Sequence, residues 1–260
     1  DSIDLLASVV LELAVSGRLV GQSTDEKPAD QLLREVASFK AYLVDNEGLR
    51  TTARDDVPAD ERYVPLPSGW SYARIGNLAR FIDYRGRTPD KTTGGVPLIT
   101  AKNVRPGYIS RDPREFIAAE EFDTWMTRGF PRVGDMLFTT EAPLGNVAVI
   151  DIEERFALAQ RVICFQLHRI EMGPYLRLAF MSRQVQAQIL DMATGMTAAG
   201  VKASRLKELP LPIPPLAEQR RIVAKVTELL TLCDQLKARI VAARAKHAQL
   251  AEALVEAAVS

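Results

Sequence analysis

Between Leu216 and about Ala258 the chain carries apolar residues at alternating steps of four and three, and no other feature constrains its fold as tightly. One seam runs through Val226, Cys233, Ile240, His247 and Leu254, the other through Ile222, Leu229, Leu236, Ala243, Leu250 and Ala257. That spacing keeps a narrow stripe on one side of a continuous helix, as at the a and d positions of a coiled coil. At 1.5 Å per residue the helix would reach roughly 60 Å, more than one small domain can cover. The pattern therefore predicts a rod that spaces or pairs other units, with Ile222, Val226, Leu229, Cys233, Leu236, Ile240, His247, Leu250 and Leu254 as its contacts. A polar residue at an a position sets register or oligomeric state at some cost in stability, the reading favoured for His247 over ligand binding.

With 260 residues, 47% of them hydrophobic, the chain can bury a substantial core. Its two cysteines, Cys164 in an apolar run and Cys233 on the seam, read as buried small hydrophobes without metal or CxxC spacing. Reduced cysteines, no apolar run of about 20 residues and no basic-then-apolar leader point to an unexported cytoplasmic protein that does not enter a membrane. A formal net charge of zero hides an uneven distribution. Residues 1–63 carry 7 basic and 13 acidic side chains, residues 64–210 carry 19 and 15, and residues 211–260 carry 7 and 5. The mildly basic middle permits a polyanionic partner without requiring one.

Residues 3–15 have Ile3, Leu6, Val10 and Leu13 on one helical face, and Ser16-Gly17 suits the C-terminus of that helix. A second helix is expected over Ala29 to Asn46, followed by an acidic, structure-poor linker over Glu47 to Arg62. From Leu66-Pro67-Ser68-Gly69-Trp70 the texture changes to short β-branched runs. Strands are expected at Val96 to Thr100, Asp135 to Thr139, Asn146 to Ile150 and Arg161 to Leu167. Helices are expected at Ala118 to Arg128, with Phe122 and Trp125 inward, and at Pro174 to Met192 with Tyr175, Leu178, Ala179 and Met181 on one face. His168 closes a strand and reads as a surface or edge residue. The expected fold is α+β in three parts: N-terminal helices and linker (1–63), one mixed domain (64–210) and the long helix (211–260).

No HExxH, GxSxG or glycine-rich strand-to-helix turn is present, and no Asn/Asp-Pro-Pro-aromatic loop of a methyl-donor site. Asp135 and Glu141 have the order of a nuclease pair, but Ala142-Pro143 stand where a lysine would be needed, so both read as structural. Intrinsic catalysis is not expected. The loop Asp83 to Gly95 offers Tyr84, Arg85, Arg87, Thr88 and Lys91, and leads to Thr100, Lys102 and Asn103. Arginine and asparagine can bond base edges in pairs, while lysine and threonine hold phosphates. An ordinary polar surface loop explains the same residues. Thr139, Thr140 and Glu141 form a second group, Glu141 being able to accept from a cytosine amine, although a proline-glycine turn is an equal explanation. Gln160-Arg161 and a small-residue loop with Thr197 and Lys202 complete the candidates.

Taken together, the segments resemble the specificity subunit of type I restriction-modification systems over nearly the whole chain. The run Leu209 to Leu229, beginning Leu-Pro-Leu-Pro-Ile-Pro-Pro-Leu-Ala-Glu-Gln-Arg-Arg, resembles the start of that family's helical region, and Leu13 to Gln22 resembles its other recurrent segment. Leu66 to Trp70 is similar to the start of a target recognition domain. Tyr84 to Pro89, Pro97 to Asn103, Gly134 to Gly145 and Ala159 to Ile163 are similar to one subtype of it. The resemblance implies a non-catalytic chain that selects double-stranded DNA and binds no cofactor. Methyltransferase subunits would dock on the rods and supply S-adenosylmethionine chemistry, and an endonuclease subunit would join through the complex. Family members usually carry two recognition domains. One recognition domain and one rod therefore suggest a half-subunit or fragment that pairs as a homodimer on a bipartite site. The alternative is a scaffold that pairs with a full-length subunit without reading DNA.

Overall fold

The apolar stripe from Ile3 to Leu13 forms α1 (Ser2–Val15) in the computed structural model, which describes residues 2–50, 53–84, 88–194 and 200–259. Gly17 ends the helix in the left-handed region at φ 68°, and the Arg18 amide reaches back to the Leu13 carbonyl at 2.9 Å, satisfying a terminal acceptor. Any larger residue at Gly17 would collide with the Pro67 ring, because a Cβ there would lie 2.3 Å from Pro67 Cγ. The second expected helix is α2 (Ala29–Glu47), ended by Gly48 at φ 65°. Residues 53–62 are not a free linker. Arg74, with 0% exposure, pairs with Glu61 at 2.7 Å and donates to the Glu208 carbonyl at 2.6 Å, and Arg54 bridges Glu61 and Glu208. A guanidinium taken out of water needs such partners, so it pins the acidic run onto the body of the protein.

Then come β1 (Ser71–Arg74), the single turn α3 (Ile75–Leu78) and β2 (Ala79–Asp83), followed by β3 (Val96–Ile99), β4 (Val104–Arg105), β5 (Tyr108–Ile109) and β6 (Phe116–Ile117). The helix expected over Ala118 to Arg128 shrinks to a 3-10 turn and α4 (Phe122–Trp125). Trp125 donates its indole N–H to the Leu158 carbonyl, and Met126 leaves helical space at ψ 47°. Phe122 and Trp125 are buried, as the sequence suggested. β7 (Met136–Thr140), β8 (Leu144–Val149), β9 (Ala157–Leu158) and β10 (Val162–Leu167) follow. The expected long helix over Pro174 to Met192 is two, α5 (Gly173–Met181) and α6 (Arg183–Met192). Ser182 adopts an extended conformation between them and its hydroxyl accepts from the Val185 amide, the work of a helix N-cap. The single turn α7 (Ala203–Leu206), β11 (Pro210–Ile213) and α8 (Leu216–Val259) complete the chain.

The central sheet has the order β2-β10-β7-β8, antiparallel throughout. All five residues of β7 are buried because both faces are covered. Met136, Phe138, Ile163 and Phe165 share one core with α1, α5 and α6, while Leu137, Val162 and Cys164 share another with β3, β6, β9 and α4. Alternate residues of a strand point to opposite faces, so one continuous apolar run serves two cores. The prolines before α8 do more than stiffen the chain: Pro210 to Ile213 form β11, paired antiparallel with β1 from Arg74 back to Ser71. Prolines fit there because a two-stranded ribbon has donor-free edge positions.

Roughly 66 Å of α8 emerges from this ribbon. α1 runs antiparallel beside its first half: Asp4 near one end of α1 pairs with Lys237 at 2.5 Å, and Gln22 beyond the other end bonds Glu218 at 3.1 Å. Ile222, Val226 and Cys233 are buried and Leu229 is half-buried, so this part of the seam is already covered within one chain. Leu236, Ile240, His247, Leu250 and Leu254 are exposed. Among the described residues, no helix is long and apolar enough to cross a membrane.

Candidate nucleic-acid interface

The antiparallel registers fix which loops lie together. β2 ends at Asp83, opposite Ile163 of β10, and β10 begins at Val162, opposite Thr139 of β7. The loop after β2, the turn between β7 and β8 and the turn before β10 therefore leave the same edge of the central sheet. β3 and β9 run parallel and end together at Ile99 and Leu158, and the Ala159 amide continues the contact to the Ile99 carbonyl at 2.9 Å. This brings Thr100 to Asn103 beside Gln160 and Arg161. The loop before α7 joins from the other side, its Val201 amide donating to the Thr140 carbonyl at 3.1 Å. Five segments scattered from residue 84 to residue 202 thus form one edge.

Within that edge the structure separates scaffold from surface. Tyr84 is 3% exposed: it stacks on Trp125 with centroids 5.8 Å apart, and its hydroxyl accepts from the Arg128 amide at 2.8 Å. Burial pushes its phenol above the ordinary range, so it stays a neutral strut. Asn103, 2% exposed, accepts from the Thr100 amide and hydroxyl at 3.0 and 2.9 Å and donates to the carbonyls of Ser110 and Pro113. Its amide is fully committed to holding the loop from 100 to 113 in shape, and Thr100 is buried with it. Thr139 occupies the bulge between β7 and β8, where its hydroxyl accepts from the Asn146 amide at 2.9 Å, and Thr140 bonds the Arg161 carbonyl through its amide and hydroxyl. The reading of Tyr84, Thr100, Asn103, Thr139 and Thr140 as groups presented to DNA is corrected accordingly. Each is buried, and its polar atoms are consumed inside the protein.

The exposed candidates are Thr88, Lys91, Lys102, Arg161 and Lys202, with Gln160 and Glu141 half-buried among them. Lys91 and Lys102 flank Glu115 at 2.7 and 3.8 Å, and Arg161 pairs with Glu141 at 2.9 Å. Arg85, Arg87 and Thr197 lie outside the described residues. One cation escaped the sequence reading. Arg128 is exposed beside the end of β2, its guanidinium bonded to the Asp83 carbonyl and 5.8 Å from the Tyr84 ring centroid. It was hidden because the stretch from 118 to 128 reads as helix, and only the early end of α4 frees it. Asp135 is buried and spent on Arg132 and the Leu167 amide, at the opposite end of β7 from Glu141, so the two carboxylates do not form a site.

Residues 67–243 match the family described as the type I restriction modification DNA specificity domain. The chain belongs to that family. It is 29% identical over 281 residues to the EcoEI specificity subunit of Escherichia coli and 26% identical over 272 residues to the EcoAI specificity subunit of the same organism. Both alignments cover 100% of this chain and, respectively, 46% and 45% of the relative, so the chain spans about half the length of the curated relatives it matches. The MjaIX specificity subunit of Methanocaldococcus jannaschii is 27% identical over 66% of the chain and 40% of its own length. Among solved structures, the fold is shared with a chain from a study of complex assembly in the type I R-M system, at a TM-score of 0.53, 20% identity, and 96% and 55% coverage. It is shared also with the HsdS subunit of Thermoanaerobacter tengcongensis, at 0.51, 19%, and 92% and 51%. In this type I specificity domain, the edge built from β2, β3, β7, β9 and β10 gathers lysine and arginine side chains on a rigid sheet, an arrangement suited to groove and phosphate contacts.

Proposed function

We propose that residues 64–210 are a target recognition domain that reads double-stranded DNA sequence-specifically through this edge, and that α8 carries the spacing and pairing function. The observation that carries the reading is the convergence of five loop segments, with Lys91, Lys102, Arg128, Arg161 and Lys202, at one end of a buried sheet. Membership of a specificity-domain family supports it. The relatives are named as subunits of restriction enzymes, which supports assembly with S-adenosylmethionine-dependent methyltransferase subunits and, through them, an endonuclease. In that assembly this chain selects the sequence and the partners do the chemistry.

Pairing is the second part of the proposal. Leu236 lies exposed beside the end of α1, and Ile240, Leu250 and Leu254 lie exposed on the heptad beyond it, a face that a second α8 would fit. A two-fold pair of rods would hold two recognition domains on two inverted half-sites. The test is selection from a random duplex pool by the full chain with methyltransferase subunits present. An enriched bipartite motif with inverted halves is expected, whereas sequencing that finds no enrichment despite subunit binding would favour the scaffold reading.

A further inference from the structure

Glu141 and Arg161 occupy the middle of the recognition edge. The Glu141 carboxylate lies 2.9 Å from Arg161 Nε. The main chains of the two are locked at the end of the β7-β10 ladder, because the Arg161 carbonyl accepts from both the amide and the hydroxyl of Thr140. Gly200 closes the opposite side: a Cβ there would sit 3.3 Å from the second Glu141 oxygen, so a larger residue would crowd the carboxylate. The carboxylate is therefore placed by backbone on two sides. Arg161 keeps a side-chain exposure of 49%, and its two Nη groups have no partner among the described residues. A guanidinium held at Nε still offers its Nη pair, two parallel N–H groups matching the O6 and N7 acceptors of guanine.

Charge argues for a base rather than a phosphate. An arginine beside a carboxylate at this distance is close to neutral as a unit, and Glu141 repels phosphate oxygens, whereas a guanine edge presents only dipolar acceptors. The same geometry takes Glu141 out of direct contact with cytosine, since its carboxylate already faces Arg161. We propose that Arg161 reads a guanine through its Nη pair and that Glu141 is the positioning residue that aims it. The proposal rests on the DNA-recognition reading above and goes further by assigning one base and two distinct roles.

The experiment repeats the random-pool selection with the full chain and with Arg161→Ala, Arg161→Lys and Glu141→Gln, each first shown to unfold at the wild-type urea midpoint. In the wild-type motif, one guanine should lose discrimination by roughly 5- to 150-fold in Arg161→Ala, the range of a bidentate base contact. Arg161→Lys keeps the charge but not the fork and should lose nearly as much at the same position. Glu141→Gln keeps an acceptor oxygen and should show a smaller loss there, with the other positions untouched. A uniform loss of affinity in Arg161→Ala, with the salt slope reduced by about 1 and base preference intact, would make Arg161 a phosphate contact and overturn the assignment. So would a change in Glu141→Gln at a position that the Arg161 variants leave alone. A wild-type motif that survives unchanged in Arg161→Ala sinks this inference only; a wild-type chain that enriches nothing sinks the recognition reading with it.

Discussion

Glu218 is a charged side chain with 1% exposure, and it holds three parts of the chain together. Its carboxylate accepts the Trp70 indole N–H at 3.0 Å and the Gln22 amide at 3.1 Å, tying the first turn of α8 to the start of β1 and to the segment after α1. The Leu-Ala-Glu-Gln-Arg-Arg run was conspicuous in the sequence, but its reason was not, because the partners lie 148 and 196 residues away. Glu218→Ala strands the buried indole donor and should cost about 1–3 kcal/mol in urea unfolding, while Glu218→Gln keeps an acceptor and should cost less. His168, which reads from the sequence as a surface or edge residue, is half-buried: it packs edge-on against Phe39 at 6.0 Å, and its Nε2 is buried without a hydrogen bond among the described residues. Burial first, then the charges of Lys40 and Arg132, lower its pKa to about 4. Protonation therefore favours the unfolded chain. The stability contributed by neutral His168 is complete above pH 6.5 and is lost as pH falls toward 4. Unfolding midpoints measured across that window should decline in the wild type and flatten in His168→Gln. An equally steep decline in the variant would assign the effect to other groups.

Among the elements, those with a strong period were legible and those defined by long-range pairing were not. The four-and-three spacing marked α8, and β-branched runs marked β3, β7, β8 and β10 to within a residue or two. By contrast, β11 is half proline and exists because β1 is there to receive it. The break at Ser182 was invisible because both flanking helices continue one apolar pattern, and only the cap to Val185 distinguishes two short helices from one long one. The same limit applied at the candidate site. The segments were identifiable by composition, but Thr139 and Asn103 look identical in sequence whether they face DNA or fold inward. α8 itself divides at about Lys237. From Ala238 onward, about 33 Å of helix lies beyond α1 with its apolar stripe exposed. Replacing Ile240 and Leu250 together by Glu should abolish self-association in light scattering while leaving the monomer's unfolding midpoint unchanged. A wild-type chain that stays monomeric at micromolar concentration, with and without methyltransferase subunits, would refute pairing through this face.

For the whole molecule, a net charge of zero coexists with a local concentration of cations at one sheet edge and a net acidic balance over the first 63 positions, 13 acidic against 7 basic. Affinity for DNA should then depend on salt through that edge alone. Replacing Lys91, Lys102 or Lys202 by Ala should each lower the slope of log K against log salt by about 1 if the residue touches phosphate, without altering the preferred sequence. A slope that no single replacement changes would place the phosphate contacts elsewhere. The β1-β11 ribbon has a further consequence. Chain enters and leaves the recognition unit within one pair of hydrogen-bonded strands, Ser71 lying across from Ile213. Between those two positions the unit also shares a core with α1, α2 and α8, so a different loop-and-sheet cassette grafted there would sit on the rod as this one does only if it kept that shared face. On the proposed reading, changes of sequence preference would be confined to the loops at the far end of the sheet, and the spacing of two copies to the helix that holds them apart.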